Sequence, residues 1–296
     1  MVKTPGRLQV VATPIGNLAD LSARAREALE AADVIAAEDT RHTLVLLKAF
    51  GIAKPLISLH GHNEAQRVPQ LLVRLEAGEN VALVSDAGTP LLSDPGFQLV
   101  QQAAQAGIPV HTIPGPSAIT AALAVAGLPT DRFCFEGFLP ARAAERRTAL
   151  GALAHETRTL VFFEAPHRIV ATLTDMATEF GAQRPAVVAR ELTKIHETIY
   201  RGTLQELAAR AAADENFQRG EITLVVHGAP DSAAMLDEGE LRRTVDILAK
   251  ELPPGRAAAV AAALTGASRA AAYALVTRGA KTSAETTGVP HGTKTP

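Results

Sequence analysis

The chain has 296 residues, 47% of them hydrophobic and 20% charged, which is typical of a globular protein and not of a disordered or fibrous one. No apolar run approaches the ~20 residues that a membrane-spanning helix needs, and no stretch of signal-peptide length precedes the first turn, so we expect a cytoplasmic protein without a membrane partner. Cys134 is the single cysteine, which excludes an internal disulfide and a cysteine-based metal site, and the formal net charge of −2 argues against unspecific binding to nucleic acid.

The first part of the chain alternates short apolar runs with amphipathic segments. Buried strands are predicted at Leu8–Ala12, Val34–Ala37, Leu56–Leu59, Val81–Ser85 and Val110–Ile113. Helices are predicted between them at Leu21–Ala31, Arg41–Phe50, Glu64–Glu76 and Pro95–Ala106. Such an alternation is typical of a mostly parallel sheet covered on both faces, and we expect residues 1–130 to form an N-terminal α/β domain.

After residue 130 the pattern changes. Strands are predicted at Phe133–Phe138, Leu160–Phe163, Val187–Ala189, Thr198–Arg201 and Ile222–His227, with helices at Ala141–Ala154, at Arg168–Phe180 and after Thr203. The short connection between the third and fourth of these strands indicates antiparallel pairing, so residues 131–230 are predicted to be a second α/β domain with a mixed sheet. Residues 238–280 predict a small helical domain with a break at Pro253-Pro254-Gly255, and the polar residues 281–296 predict a disordered tail.

Five loops rich in Gly, Pro, Asp and small polar residues follow the predicted strands of the N-terminal domain. They are residues 13–17, 38–41, 60–64, 86–90 and 114–118. Ligands of such sheets bind beyond the carboxyl ends of the strands, so five such loops predict the rim of a site. The small residues of loops 85–96 and 114–118 let backbone groups approach a ligand closely, and the absence of Lys and Arg from the first suits a positively charged centre better than a phosphate. Two ordinary tight turns explain these loops equally well.

Several common signatures are absent from the sequence. There is no Gly-x-Gly-x-x-Gly after the first strand, no Walker loop and no Gly-x-Ser-x-Gly elbow. His60 and His62 flank a glycine, but no third ligand accompanies them, so we expect a polar loop there and no metal site. Cys134 lies in an apolar strand and is predicted to be a core residue rather than a nucleophile.

Eight motifs occur in unbroken order within residues 7–280. They are Ala12–Asn17, Ala37–Arg41, Ser85–Pro90, Pro114–Ala118, Glu136–Pro140, Phe163–Arg168, Arg190–Lys194 and Gly220–Ile222. Together they resemble the RsmI family of bacterial 16S rRNA (cytidine-2′-O)-methyltransferases, within the tetrapyrrole methylase superfamily. The superfamily's usual Gly-Asp-Pro loop reads Gly88-Thr89-Pro90 here, as in the RNA-modifying branch, which speaks against a porphyrin or corrin substrate.

The resemblance implies two α/β domains of the tetrapyrrole methylase type with a small C-terminal helical appendage, a homodimer, and S-adenosylmethionine bound between the domains. The cofactor contacts that it implies are Pro14, Ala87, Gly88, Thr89, Leu92, Ser117 and Ala118 in the first domain and Phe163, Glu164, Leu192 and Ile222 in the second. Asp86, which either holds the loop or faces the sulfonium, and Glu191 complete this set. The implied acceptor is a cytidine 2′-hydroxyl in the decoding region of 16S rRNA, within the small ribosomal subunit, and DNA is not an expected partner.

The acceptor chemistry predicts catalytic groups at the same rim. A ribose hydroxyl is a weak nucleophile, so a general base or a cation beside the forming alkoxide is expected. Glu38, Asp39 and Arg41 offer two acids and a guanidinium at one strand end, although an ordinary helix N-terminus explains the same pattern. Lys194 offers either a base of lowered pKa or a cation that attracts phosphate, and the sequence leaves both open.

A small basic cluster follows the Glu136–Pro140 motif. Arg142, Arg146 and Arg147 lie on one predicted helix, where 142 and 146 share a face, and predict an RNA contact; a solvated helix face is the alternative. Two other functions stay open: a precorrin-type methyltransferase of the same superfamily, and a non-catalytic ribosome-associated RNA-binding factor. The basic cluster and the C-terminal helices favour RNA over a tetrapyrrole, and the intact cofactor loops argue against a factor without catalysis.

Overall fold

The fold is that of a computed structural model, which describes residues 5–230 and 238–285. The chain divides into two compact units, residues 1–228 and residues 229–296. The first unit is built on two five-stranded sheets and the second on helices, so the predicted α/β class with a helical C-terminal part is confirmed. In the described ranges, no helix combines the length and the apolar content that are needed to cross a membrane.

The first sheet is entirely parallel. Its strands are β1 (Leu8–Val11), β2 (Val34–Ala37), β3 (Leu56–Ser58), β4 (Val81–Val84) and β5 (Val110–Ile113), in the spatial order β3-β2-β4-β1-β5. All four residues of β2 and all four of β4 are buried, as expected for central strands with helices on both faces. All five strands were predicted from their apolar runs, with ends that differ by at most one residue. Because the strands are parallel, the loops that follow them meet at one edge of the sheet.

Four helices cover the two faces of this sheet. They are α1 (Ala23–Ala31), α2 (Thr40–Ala49), α3 (Glu64–Glu76) and α4 (Phe97–Gln105). Helices α3 and α4 bury leucines such as Leu71 and Leu99 against one face, and α1 and α2 bury Leu29 and Leu47 against the other. The start of α2 is fixed by Asp39, whose carboxylate accepts a hydrogen bond from the backbone N–H of Arg41.

The next helix, α5 (Ala118–Ala126), was not predicted from the sequence. Its segment is apolar on almost every side, so it lacks the alternation of polar and apolar residues that marks an amphipathic helix. The structure gives the reason, because α5 follows the last strand of the first sheet but packs on the second. Its buried residues Ile119, Ala122 and Leu123 lie in one cluster with Val161 and Val225 of the second sheet.

The second sheet is mixed, as predicted. Its strands are β6 (Phe133–Phe138), β7 (Thr159–Glu164), β8 (Pro185–Arg190), β9 (Thr198–Thr203) and β10 (Ile222–Val226), in the order β6-β7-β10-β8-β9. Only β6 and β7 pair in parallel, and the expected antiparallel pairing of β8 with β9 is confirmed. Helices α6 (Ala143–Leu153), α7 (Ile169–Phe180) and α8 (Leu204–Ala213) cover the face opposite α5, around a core that includes Phe162, Leu173 and Leu224.

Both sheets lie in the first compact unit, and α5 packs on the second sheet. The division into residues 1–130 and 131–230 stays a prediction. The second unit contains α9 (Glu238–Glu251), α10 (Pro254–Thr265) and α11 (Arg269–Glu285), held by a small core of leucine, valine and alanine side chains. Pro254 is the first residue of α10, where its fixed φ favours the helix start. Residues 281–285, which the sequence assigns to the tail, continue α11, and 286–296 lie outside the described residues.

Candidate functional site

A cavity of about 360 Å³ opens where the loops of the first sheet face the ends of the second-sheet strands. Its volume falls in the range of about 300–1,000 Å³ that small-molecule sites occupy. Six of the predicted cofactor residues line it: Ala87, Ala118, Phe163, Glu164, Leu192 and Ile222. The lining is mostly apolar, and small residues leave backbone groups accessible along it. The structure therefore brings together loops that are more than a hundred residues apart in sequence.

The other predicted cofactor residues lie outside the lining. They are Pro14, Asp86, Gly88, Thr89, Leu92, Ser117 and Glu191. Several of them support the lining instead: Gly88 is bridged to the buried Thr13 by two backbone hydrogen bonds, and the Thr89 hydroxyl donates to the carbonyl of Pro116. At Gly88 the backbone φ is +83° and an added Cβ would come within 3.2 Å of Ile15, so glycine keeps this loop close to the cavity.

Eight lining residues were not among the predicted cofactor contacts. Six of them lie inside the motifs: Ile15, Phe138, Ala165, Pro166, Gly220 and Glu221. The remaining two, Ala189 and Thr223, directly adjoin motifs at the ends of β8 and β10. The motifs therefore identified the segments that line the cavity, but the sequence did not reveal which side chain of each motif turns toward it.

The Glu164 carboxylate is not available to a ligand. Its side chain is fully buried and forms an ion pair with Arg168 at 3.1 Å. It also accepts hydrogen bonds from the Thr172 hydroxyl and from the backbone N–H of Ala165. Glu164 thus lines the cavity as a residue, while its charge anchors the start of α7.

The loop after β8 has an unusual backbone conformation. Glu191 and Thr193 adopt positive φ angles of 54° and 65°, which non-glycine residues rarely do. The loop is stabilised by Glu191, which accepts hydrogen bonds from the ammonium of Lys194 at 2.9 Å and from the backbone N–H of Glu221 at 2.8 Å. The Glu191 carboxylate therefore stabilises the conformation of this loop. The strained segment places Leu192 in the cavity wall.

Lys194 is a stable cation in this loop. Its ammonium lies 2.9 Å from Glu191 and 3.3 Å from Glu221. Burial alone would lower the pKa of Lys194, but the two carboxylates outweigh it and the pKa is raised. A raised pKa favours the cationic alternative over a lysine base with a lowered pKa.

A group of carboxylates lies at the ends of β2 and β4, adjoining the cavity through Ala87. Asp86 is its centre, because it accepts a hydrogen bond from the backbone N–H of Asp39 at 3.0 Å and contacts His42 Nδ1 at 3.0 Å. The backbone N–H of Asp86 faces Glu38 Oε2 at 3.4 Å. Asp86, from the end of β4, thus lies beside Glu38 and Asp39 at the end of β2.

The two predicted acids differ in their proton affinity. Burial raises the pKa of Glu38. A hydrogen bond from the backbone N–H of Asp86 opposes this shift, but the negative charges of Asp86 and Asp39 add to it, and the pKa remains raised. Hydrogen bonds from the side chain and backbone of Arg41 hold the pKa of Asp39 well below its usual range. Arg41 itself is exposed and pairs with Asp39 at 2.6 Å. Glu38 is therefore the better proton acceptor of the two near neutral pH.

Asp94, which the sequence analysis did not single out, belongs to the same group. It lies in the loop between β4 and α4 and interacts with Glu38, Asp86 and the Ser85 hydroxyl. Burial, together with the charge of Glu38, raises the pKa of Asp94 to about 6. Its neighbours Leu91 and Ser93 have positive φ angles of 76° and 73°, so this loop is strained where the carboxylate is presented.

The predicted basic cluster is divided by the structure. Arg146 is only 4% exposed and forms an ion pair with Asp175 at 2.7 Å, so it is a structural residue and not an RNA contact. Arg142 and Arg147 are exposed, and Arg142 pairs with Glu145 at 3.1 Å on the surface. Helical spacing places 142 and 146 on one side of α6, but α7 covers part of that side with Asp175.

Comparisons with known proteins identify the family. The profile described as Tetrapyrrole (Corrin/Porphyrin) Methylases matches residues 7–208, and the profile described as RsmI C-terminal HTH domain matches residues 236–279. The protein named Ribosomal RNA small subunit methyltransferase I from Xylella fastidiosa (strain Temecula1) is 57% identical over 267 residues, which cover 90% of this chain and 97% of the relative. Its namesake from Escherichia coli O157:H7 is 51% identical over 261 residues, 88% of this chain and 91% of the relative.

The chain belongs to the RsmI family of methyltransferases. A more distant likeness shows the fold alone: uroporphyrin-III C-methyl transferase from Thermus thermophilus, in complex with S-adenosylhomocysteine, superposes with a TM-score of 0.53 at 21% identity, over 75% of this chain and 97% of that one. Like the rest of the tetrapyrrole methylases, members of the RsmI family use S-adenosylmethionine as methyl donor, and this chain is a methyltransferase that depends on it.

The cavity fits this cofactor on its own chemistry. Apolar walls formed by Phe163, Leu192 and Ile222 suit an adenosine ring system, and backbone groups beside Ala87 and Ala118 suit the polar amino-acid end. No lysine or arginine is in the lining, so it presents no cation to repel a sulfonium. Within residues 5–230 and 238–285, no three His, Cys, Asp or Glu side chains are grouped so that they could hold a metal ion.

Proposed function

We propose that this RsmI-family enzyme methylates the ribose 2′-hydroxyl of a cytidine in the decoding region of 16S rRNA, within the small ribosomal subunit. The observation that carries the proposal is the likeness over both units to relatives named Ribosomal RNA small subunit methyltransferase I. Ribosomes are assembled in the cytoplasm of bacteria, so the enzyme would act there. We also infer that it acts as a homodimer, as the family resemblance implies.

The cavity residues would position the methyl donor. Phe163, Leu192 and Ile222 would hold its adenosine part by apolar contact, and the loop of Ala87 would approach its charged part with backbone groups. Bound S-adenosylmethionine supplies an electrophilic methyl group on a sulfonium. Rigid placement matters because methyl transfer is an in-line displacement, in which orientation contributes a large share of the rate.

Glu38 is the general base that the geometry supports best among the predicted residues. Its raised pKa makes it a stronger proton acceptor than Asp39, and it lies beside the loop that enters the cavity at Ala87. We assign to it the removal of the proton from the acceptor hydroxyl. Asp39, locked by Arg41 at the start of α2, would then hold the backbone of this loop rather than exchange protons.

Lys194 would act as a cation on the opposite side of the cavity. Its ammonium is shared between Glu191 and Glu221, and Glu221 is part of the cavity lining. We infer that this ammonium, held in place by the two carboxylates, donates a hydrogen bond to a phosphate beside the acceptor nucleotide. Arg142 and Arg147 on α6 would add exposed phosphate contacts, whereas Arg146 would not.

The proposal is tested by methyl transfer from radiolabelled S-adenosylmethionine. Acceptors would be small subunits from a strain that lacks the gene, naked 16S rRNA, and large subunits as the negative control. We expect the wild-type enzyme to incorporate one methyl group per small subunit. If Glu38 is the base, the Glu38→Gln variant should have a kcat that is lower by about 10²- to 10⁴-fold. No incorporation into any RNA, despite binding of S-adenosylmethionine, would contradict the proposal and point to a different acceptor.

A further inference from the structure

Phe138 is an exposed aromatic ring at the mouth of the cofactor cavity. It is 56% exposed and also lines the cavity. Its ring centroid lies 5.6 Å from that of Phe163, which in turn lies 4.9 Å from Phe135. A single exposed phenylalanine is ordinary on a protein surface. A role for Phe138 must therefore be argued from its position at the cavity and from the contacts that fix its backbone.

A β-bulge gives Phe138 its direction. The pairing of β6 with β7 shifts register between Phe135 and Gly137, so that Glu136 is the extra residue. Without the bulge, Phe135 and Phe138 would point to opposite faces of the sheet, since side chains alternate along a strand. With it, both rings lie against Phe163. Gly137 at a φ of +66° makes the turn of the backbone possible.

The backbone on both sides of Phe138 is fixed. Arg168 donates hydrogen bonds to the carbonyls of Leu139 at 2.6 Å and Pro140 at 3.2 Å, and Leu139 is buried. On the other side, Gly137 packs so closely on the β4–α4 loop that an added Cβ would lie 3.2 Å from the Ser93 hydroxyl. An aromatic side chain is thus held in place while more than half of its surface faces solvent, which is the arrangement of a preformed ligand contact.

We propose that the ring of Phe138 is the stacking surface for the nucleobase of the acceptor nucleotide. This inference rests on the proposed function, because it assumes an RNA acceptor. Proteins read unpaired RNA bases by stacking them on aromatic side chains, and a ribose that is to be methylated must leave its helix to enter a cavity. Gly137 packs on Ser93, which precedes Asp94, so the end of β6 that carries Phe138 adjoins the loop of this carboxylate.

The cofactor's adenine is the other flat group that could meet this ring. The buried residues Leu192 and Ile222, with Phe163, already provide apolar surface inside the cavity. Phe138 instead keeps its exposed surface at the rim, where a group arriving from solvent meets it first. We therefore assign the ring to the acceptor nucleobase, and the measurement of S-adenosylmethionine binding distinguishes it from a contact with the adenine.

Three variants test the inference in the full-length enzyme. Phe138→Leu keeps an apolar side chain but removes the aromatic ring, Phe138→Tyr keeps the ring, and Phe133→Leu is the control, because Phe133 is 42% exposed on the same strand but outside the cavity lining. The dissociation constant for S-adenosylmethionine is measured by calorimetry, and kcat and KM for small subunits are measured by label transfer. We expect Phe138→Leu to bind S-adenosylmethionine within twofold of wild type and to lose about ten- to hundredfold in kcat/KM.

Phe138→Tyr should recover most of the kcat/KM that Phe138→Leu loses, because it restores an aromatic ring. The Phe133→Leu control should stay within threefold of wild type in both measurements. Wild-type kcat/KM in Phe138→Leu would overturn the inference. Weakening of S-adenosylmethionine binding by the same factor as transfer would also overturn it, because the ring would then belong to the cofactor site. Failure of the wild-type enzyme to methylate any RNA would overturn the proposed function itself, whereas an active wild type with an equally active Phe138→Leu would leave that function standing.

Discussion

Gly16 lies directly against Lys194: a Cβ on the glycine would approach Cγ of the lysine to 2.4 Å and the Thr193 hydroxyl to 3.0 Å. Gly16 belongs to the loop after β1 and Lys194 to the strained loop after β8, so this is a point where the two sheets bring their site loops into contact. The missing side chain lets the lysine stem pass and reach Glu191 and Glu221.

Substitution of Gly16 by alanine should displace Lys194 and loosen the cavity wall. The φ of Gly16 is not positive, so the cost comes from crowding, which typically destabilises a protein by about 1–3 kcal/mol. We expect that loss in urea unfolding and at least about a tenfold loss in kcat/KM for methyl transfer. Gly151→Ala is the control, because its added Cβ would meet no atom closer than 3.7 Å. Wild-type stability and activity in Gly16→Ala would show that the lysine can move without consequence.

The Glu164–Arg168 ion pair should be a major stabilising contact of the second sheet. Removal of a partner from a buried ion pair leaves an uncompensated charge and costs about 3–5 kcal/mol. We expect Glu164→Ala to lose stability of this order, measured as the free energy of unfolding in urea. Glu145→Ala, which breaks the exposed pair with Arg142, should change that free energy by at most about 1 kcal/mol. Equal effects of the two substitutions would contradict the assigned burial.

Arg146 and Arg147 are neighbours in sequence but should behave differently. Arg146→Ala breaks the buried pair with Asp175 and is expected to destabilise the protein by about 3–5 kcal/mol. Arg147→Ala should leave stability within about 0.5 kcal/mol and lower the dependence of RNA binding on salt, by about one unit in the slope of log K against log salt concentration. Thermal unfolding and filter binding at several salt concentrations measure these effects. An unchanged salt slope would remove Arg147 from the RNA contact.

Asp94 should make the folded state less stable as the pH rises. The pKa of Asp94 in the folded state, about 6, lies above the ordinary aspartate value of 3.8, so the folded state binds this proton more tightly than the unfolded state does. The contribution of the protonated Asp94 to the free energy of unfolding is therefore complete below pH 3.8. It is lost as the pH rises through about 6. Asp94→Asn should therefore be more stable than wild type at pH 7.5, with a gain that shrinks toward pH 4.5.

Asp39→Asn is the matched variant, for which a change in stability opposite to that of Asp94→Asn is expected at pH 7.5. Arg41 lowers the pKa of Asp39, so the ionised form stabilises the folded state above the ordinary aspartate pKa, and this contribution is lost as the pH falls. Asparagine keeps the helix cap but loses the charge, and we expect lower stability at pH 7.5. Urea unfolding of both variants at the two pH values makes the comparison. A gain in stability for Asp39→Asn at pH 7.5 would refute the assigned ion pair.

Local patterns sufficed for much of the fold. The strands β2 and β4 are continuous apolar runs between turn residues, so burial and bounds could be predicted together. Helix α5 was not predicted, because it packs on a different sheet from the one it follows. An apolar segment that is buried on most sides shows no helical period of apolar and polar residues.

The site was predicted less completely than the fold. The positions of the loops follow from the ends of parallel strands, whereas Ala87 and Ala118 were named within those loops from the family resemblance, and both line the cavity. The burial of Arg146 depends on Asp175, 29 residues away, and the raised pKa of Asp94 depends on its burial and then on Glu38, which follows β2. Such pairings exist only in the folded chain, so the periodicity of one helix or the composition of one loop could not show them.

The position of the transferred methyl group tests the account most directly. Small subunits methylated with radiolabelled S-adenosylmethionine would be stripped of protein, and the 16S rRNA digested with alkali, which needs a free 2′-hydroxyl to cleave the adjoining phosphodiester bond. We expect the label to be recovered in an alkali-resistant dinucleotide whose methylated residue is cytidine. Label in a single mononucleotide would mean that a base was methylated, and it would contradict the assignment of the acceptor to a ribose.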